Sequence, residues 1–102
     1  MELLCGPLAM NVTRREVAVN GEWVHLTRGE FDVLRALMEK PNGTLNKLAL
    51  ARALGIASAH SVEVHLSNIR KALKDAGLEV PLTEAVPPAG VRLSRALLGS
   101  GA

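Results

Sequence analysis

Apolar residues recur along this chain at two different periods, and the change from one to the other divides it. Up to Leu26 they alternate with polar residues or come in short runs bounded by turn residues, which predicts strands. Glu2-Leu3-Leu4-Cys5 stops at Gly6-Pro7, and Leu8 to Val12 follows as a second run. Glu16 to Val19 and Glu22 to Leu26 flank Asn20-Gly21, a strong hairpin signal because the tight turn between twisted strands needs positive φ. With that turn, Val17 faces Val24, and Val19 and Leu26 lie on their side of the ribbon, which should meet the helices. Ala18 then pairs with Trp23 on the opposite side, where Glu16 and His25 also lie. The large indole there is either covered by another strand, which is the expectation, or available to a partner.

From Thr27 onward the period is helical. Thr27-x-x-Glu30 is a capping box, and Leu26 with Phe31 stands at the two ends of a hydrophobic staple. Phe31, Leu34 and Met38 form a buried stripe with Leu37 beside it, leaving Arg28, Asp32, Arg35 and Glu39 in water. Pro41-Asn42-Gly43 ends this helix. Thr44-Leu45 predicts a short strand before Asn46 caps a second helix, Leu48 to Leu54, closed by Gly55. A third and longer helix covers about His60 to Ala76, with Gly77 as its C-terminal glycine. At about 100° per residue, Val62, Leu66, Ile69 and Leu73 share one narrow core stripe. Val64 and Lys71 point away from it, flanked by His60, Ser67, Asn68 and Lys74. Two helices in close succession, the second with a polar outer face, predict a helix-turn-helix. In a DNA major groove, an apolar side chain among hydrogen-bonding ones can touch a thymine methyl. Val80 to Ala85 and Gly90 to Ser94, joined by Val86-Pro87-Pro88-Ala89, read as a closing hairpin with a stiff tip. The segment from Arg95 should fray, although Leu97 and Leu98 can dock. The expected organisation is one domain over residues 1–94 and a flexible tail over 95–102.

Composition narrows the function classes. The 102 residues suit one modest core, and 48% hydrophobic with 22% charged residues describes a soluble globular chain. No apolar run approaches the roughly 18 residues of a membrane span, and the N-terminus lacks a secretory signature. The one cysteine, Cys5, makes no intramolecular disulfide, suits a reducing cytosol and has no basic neighbour to activate it. A net charge of +2 and a pI of about 9.1 permit nucleic-acid binding without demanding it. Material for catalysis is scarce: there is no tyrosine, no phosphate-cradling glycine loop and no spaced cysteine pair for zinc. His60 and His65 are spaced wrongly for one metal on one helix face, and Ser61 reads as a helix N-terminal residue without a base. No enzyme activity, cofactor, metal or small-molecule substrate is expected. His65, at the edge of the core stripe, is either a backbone-bonded boundary residue or a phosphate contact.

Three motifs resemble the winged-helix DNA-binding domain of OmpR/PhoB-type bacterial response regulators. Leu26-Thr27-x-x-Glu30-Phe31-x-x-Leu34 is similar to the start of that family's first helix. Ser61-Val62-Glu63-Val64-His65-Leu66-x-x-Ile69-Arg70-Lys71-Ala72-Leu73 is similar to its recognition helix, and Thr83 with Gly90-Val91-Arg92-Leu93 to its wing. The resemblance runs from about Leu8 to Leu93. It implies an α+β winged helix-turn-helix: an N-terminal antiparallel sheet, three helices and a C-terminal β-hairpin wing. It implies sequence-specific double-stranded DNA binding by a cytoplasmic transcription regulator or its effector domain. Glu63, Val64, Ser67 and Asn68 would then face bases. Ser61, His65, Arg70, Lys71 and Lys74 would meet phosphates, and Pro87, Pro88 and Arg92 would form the wing. The further partners it implies are a second copy, head-to-tail on DNA, and RNA polymerase. A phosphorylatable receiver usually precedes such a domain, so the chain is expected to be an effector domain or a regulator controlled in another way.

The sequence also departs from the family. Ser67 and Asn68 stand where arginine is common, which should reduce electrostatic grip on DNA while leaving asparagine's bidentate match to adenine. Pro87-Pro88 replaces a tip that usually carries arginine, and Val91 replaces an aromatic, both against minor-groove reading by the wing. Leu54 stands near the usual tryptophan, and the short loop from Gly55 to His60 argues against the polymerase contact. Two alternatives remain at this stage. A LuxR/NarL-type four-helix domain shares the recognition-helix pattern but has no hairpin after it. A winged-helix protein-interaction module with lost DNA binding would suit the low charge, Val64 and an outward Trp23.

Overall fold

Three turns, two of them tight, fold the first quarter of the chain into a layer. In the computed structural model, which describes residues 1–99, β1 (Glu2–Cys5), β2 (Leu8–Asn11), β3 (Glu16–Val19) and β4 (Glu22–Val24) form an antiparallel sheet in that order. Gly6 turns β1 into β2 at a φ of +56°, and Asn20 and Gly21 turn β3 into β4 at +49° and +85°, values that glycine and asparagine tolerate best. The resulting register pairs Val17 with Val24 and Ala18 with Trp23, as the hairpin signal predicts. Alternation then sorts the side chains: Cys5, Leu8, Met10, Val17 and Val19 are buried on the helix side.

The other side carries Leu4, Ala9, Ala18 and Trp23, successive partners across all four strands. Here one expectation fails. Trp23 is 69% exposed, and Leu4 at the opposite end of the row is 70% exposed. β4 is the last strand of this sheet and ends at Val24, because Thr27 starts the next helix so soon after. Nothing among the described residues lies outside it to cover the indole.

Thr27 makes the predicted capping box, its Oγ1 accepting from the Glu30 N–H while the Glu30 carboxylate accepts from the Thr27 N–H. It opens α1 (Arg28–Glu39), which buries Val33 besides the expected Phe31, Leu34, Leu37 and Met38. β5 (Leu45–Asn46) follows, and Asn46 caps α2 (Lys47–Leu54), its Oδ1 accepting from the Ala49 N–H at 3.0 Å. Each such cap is worth about 1 kcal/mol. Gly55 closes α2 at a φ of +70°. α3 (Ala59–Asp75) starts slightly earlier than expected: Ser58 is its cap, accepting from the Ser61 N–H at 3.1 Å, so Ser61 lies inside the first turn. Val62, Leu66, Ile69 and Leu73 are fully buried, as their spacing predicts.

The hairpin after α3 is formed by β6 (Thr83–Val86) and β7 (Gly90–Leu93), with Pro87-Pro88-Ala89 as its turn. Its first strand begins later than expected, because Leu78 and Leu82 turn inward to the core and leave Val80 and Pro81 without strand pairing. β5 joins β7 to complete a second sheet in the order β5-β7-β6. The segment from Arg95 does not begin as a loose tail. Ser94 Oγ accepts from the Leu97 N–H at 2.9 Å and caps a short helix, α4 (Arg95–Leu98), whose Leu97 is fully buried. Residues 100–102 of the expected tail lie outside the described residues. The sum is an α+β winged helix-turn-helix. A hairpin following α3 removes the four-helix alternative.

Candidate nucleic-acid interface

The rotation of α3 is set by its core stripe. With Val62, Leu66, Ile69 and Leu73 fully buried, the helical period turns Val64, Ser67, Asn68, Lys71 and Lys74 outward, and all five are exposed. They make one continuous strip in which Val64, 45% exposed, is the apolar member. Arg70 and His60 flank it and are also exposed. Of the twelve candidate residues, five (Val64, Ser67, Asn68, Lys71 and Lys74) are brought together as the spacing predicts.

The remaining candidates, the two prolines apart, are engaged within the protein. The Glu63 carboxylate pairs with the Lys47 ammonium of α2, and that hydrogen bond holds its pKa below the usual carboxylate range, with Arg70 and His60 adding to the effect. Ser61 is partly buried, its Oγ 3.2 Å from Ser58 Oγ. His65 is partly buried against the first turn of α1, where a methyl group added at Gly29 would stand 2.9 Å from its Nε2. The Arg70 guanidinium donates to Thr83 Oγ1 on β6 at 2.8 and 3.1 Å, tying α3 to the hairpin. Arg92 on β7 is paired with Glu84 of β6 at 3.1 Å. Glu84 also accepts the Arg95 N–H at 2.8 Å, and that bond first, then Arg92, lowers its pKa. Pro87 and Pro88 are exposed at the hairpin tip.

That tip is not remote from the helices. The Lys47 N–H donates to the Ala89 carbonyl at 3.0 Å, and Asn46 pairs with Gly90. Gly90 is required there: a Cβ would meet Thr44 Cγ2 at 2.6 Å and the Val86 carbonyl oxygen at 2.8 Å. The hairpin turn thus holds the start of α2, and α2 in turn holds Glu63 on α3. Lys47 and Glu84 are the participants that sequence reading missed. Helical periodicity reports which face a residue occupies, but not which residue of another element it meets.

The arrangement presents a cationic strip with hydrogen-bonding groups and one apolar contact on an exposed helix, backed by a fully buried stripe. Such a face can enter a duplex groove. No helix among the described residues is long and apolar enough to cross a membrane.

Comparison with known proteins bears on the same elements. Among solved structures, the chain is similar to the DNA-binding domain of the response regulator AdeR in complex with an intercistronic region. The identity is 20% and the TM-score 0.80, covering 89% of this chain and 97% of that one. It is similar to the Klebsiella pneumoniae RstA DNA-binding domain in complex with the RstA box at 27% identity and a TM-score of 0.78, covering 91% and 96%. The E. coli CpxR DNA-binding domain gives 23% identity and a TM-score of 0.79, covering 91% and 95%. No curated protein matches the chain. Residues 21–93 match the family model described as transcriptional regulatory protein, C terminal.

Proposed function

The chain belongs to the family of transcriptional regulatory protein C-terminal domains, and we propose that it binds specific double-stranded DNA sites with α3 in the major groove. The observation that carries this reading is the strip on α3: Val64, Ser67, Asn68 and Lys71 are exposed together while the opposite stripe is sealed in the core. Asn68 matches adenine through a bidentate hydrogen bond, Val64 a thymine methyl, and Ser67 either kind of base edge. Glu63 lies at the margin of this strip. Lys71 and Lys74 meet phosphates, with Arg70 held in place by Thr83; Ser61 and His65 complete the backbone contacts from the inner margin. Arg92, committed to Glu84, and the proline tip support a hairpin that braces the helices instead of reading the minor groove. This role is one of regulation, not catalysis, and its setting is the cytoplasm. A second copy placed head-to-tail on a direct repeat, and RNA polymerase, are the protein partners the family resemblance implies. The four-residue connection Gly55 to Ser58 between α2 and α3 offers little surface for the latter.

A second reading has an observation of its own. The exposed Leu4 and Trp23 on the outer sheet face suit a protein-interaction module that has kept the fold and lost DNA.

Selection of bound sites from a random duplex library at moderate salt separates the two. A short motif is expected, arranged as a direct repeat if two copies bind. On the selected site, Asn68→Ala relaxes preference at one base pair by about tenfold or more. Lys71→Ala weakens all sequences alike and lowers the salt slope by about one. Recovery of no motif, with only weak salt-sensitive retention, sinks the DNA reading and favours the interaction module.

A further inference from the structure

Among the residues that the family resemblance places at bases, Glu63 is the one acid, and a bare carboxylate beside a phosphate backbone is repelled. The fold supplies its counterion from another element. Lys47, at the first position of α2, places its ammonium on Glu63 Oε1, and both side chains keep partial exposure, 23% and 43%. The backbone of each partner is fixed. Glu63 follows Val62, which is fully buried. Lys47 is fixed from two sides: its N–H donates to the Ala89 carbonyl, and the preceding Asn46 both caps α2 and pairs with Gly90 of β7. A lysine engages a carboxylate as a point charge, and a carboxylate has about four lone-pair sites. One oxygen is therefore taken up by Lys47 while acceptor capacity remains on the other. In the major groove, the base edge that offers a donor to a glutamate is the N4 amino group of cytosine.

We propose that Lys47 is a specificity-positioning residue, whose ammonium neutralises Glu63 and holds its carboxylate on the reading face to accept from a cytosine N4 amino group. The proposal rests on α3 entering the major groove and deepens that reading. Lys47 touches no base; it acts through Glu63, and the hairpin turn acts through Lys47. Two consequences separate this from a plain helix–helix ion pair. Loss of Lys47 affects preference at one base pair, not at all of them. The effect also disappears when Glu63 has no charge to position.

The test is site selection and equilibrium titration on the full chain and on Lys47→Met, Lys47→Arg, Glu63→Gln and the double variant Lys47→Met/Glu63→Gln. Each is first checked for cooperative thermal unfolding by circular dichroism. The unaltered chain should prefer cytosine at one position by about ten- to a hundredfold, and Glu63→Gln should move that preference to adenine. Lys47→Met should reduce the cytosine preference at that position by about tenfold and leave the others within about twofold. Lys47→Arg should retain it, and in the Glu63→Gln background the Lys47→Met change should leave the preference unaltered. If Lys47→Met weakens every sequence equally, Lys47 is a phosphate contact and the proposal is wrong. A motif that Glu63→Gln leaves unchanged also overturns it. Selection of no motif by the unaltered chain overturns the DNA reading itself, a distinct outcome. Should Lys47→Met fail to fold, Glu63→Gln alone still decides whether a cytosine is read.

Discussion

Glu84 is held by two donors, the Arg95 N–H at 2.8 Å and the Arg92 guanidinium at 3.1 Å, and both favour its charged form. Its folded pKa lies below the ordinary value of 4.5, so the unfolded chain binds more protons in that range. The stabilisation is fully present above the unfolded value and is lost as pH falls through the lowered folded one. Glu63, lowered chiefly by Lys47, behaves in the same sense. Thermal midpoints measured from neutral pH into the acid range should therefore decline below about pH 5, and Glu84→Gln should flatten that decline. An unchanged acid limb in the variant would mean that the Glu84 bonds are equally present in the unfolded state. At this scale the sequence was half legible. The helical period correctly turned Val64, Ser67, Asn68 and Lys71 outward, because four leucine-like positions fix the rotation of α3. It could not show that Glu63, Arg70 and Arg92 have partners, since Lys47, Thr83 and Glu84 sit on other elements. His65, read as a boundary residue or a phosphate contact, proved to lie against Gly29 of α1.

The elements themselves were mostly marked by short-range chemistry. Thr27-x-x-Glu30, Asn46, Gly55 and Asn20-Gly21 each name a cap or a turn whose geometry depends on neighbouring residues alone. Errors arose where tertiary packing decides. Val80 to Leu82 dropped out of the expected strand, with Leu82 turned into the core, and Leu97 drew the start of the expected tail into α4. The wing shows the same limit: Thr44-Leu45 suggested a strand, but its pairing with β7 depends on a close approach that only the fold reveals. Gly90→Ala tests that approach. Its new methyl would press on the Val86 carbonyl oxygen and Thr44, and the backbone part of that clash cannot rotate away. Destabilisation of about 1–3 kcal/mol is expected by chemical denaturation. A change near zero would show that β5 and β7 separate without cost.

At the scale of the whole molecule, two surfaces stand apart. One is the cationic strip of α3, braced by α2 and the wing. The other is the outer side of the N-terminal sheet, where Leu4, Ala9, Ala18 and Trp23 line up across all four strands, small residues in the middle and large ones at the ends. The chain has one tryptophan and no tyrosine, so its near-ultraviolet emission comes from the indole on this second surface and from nowhere in the core. The folded protein should emit at nearly the wavelength of the unfolded chain, and denaturation obvious by circular dichroism should leave the emission maximum almost in place. A marked red shift on unfolding would contradict the exposure of Trp23. Conversely, a blue shift on titration with a DNA direct repeat, absent with a single half-site, would mean that an adjoining copy has settled on the sheet. Trp23 is thus a built-in optical reporter for whatever lands there, silent toward the protein's own unfolding.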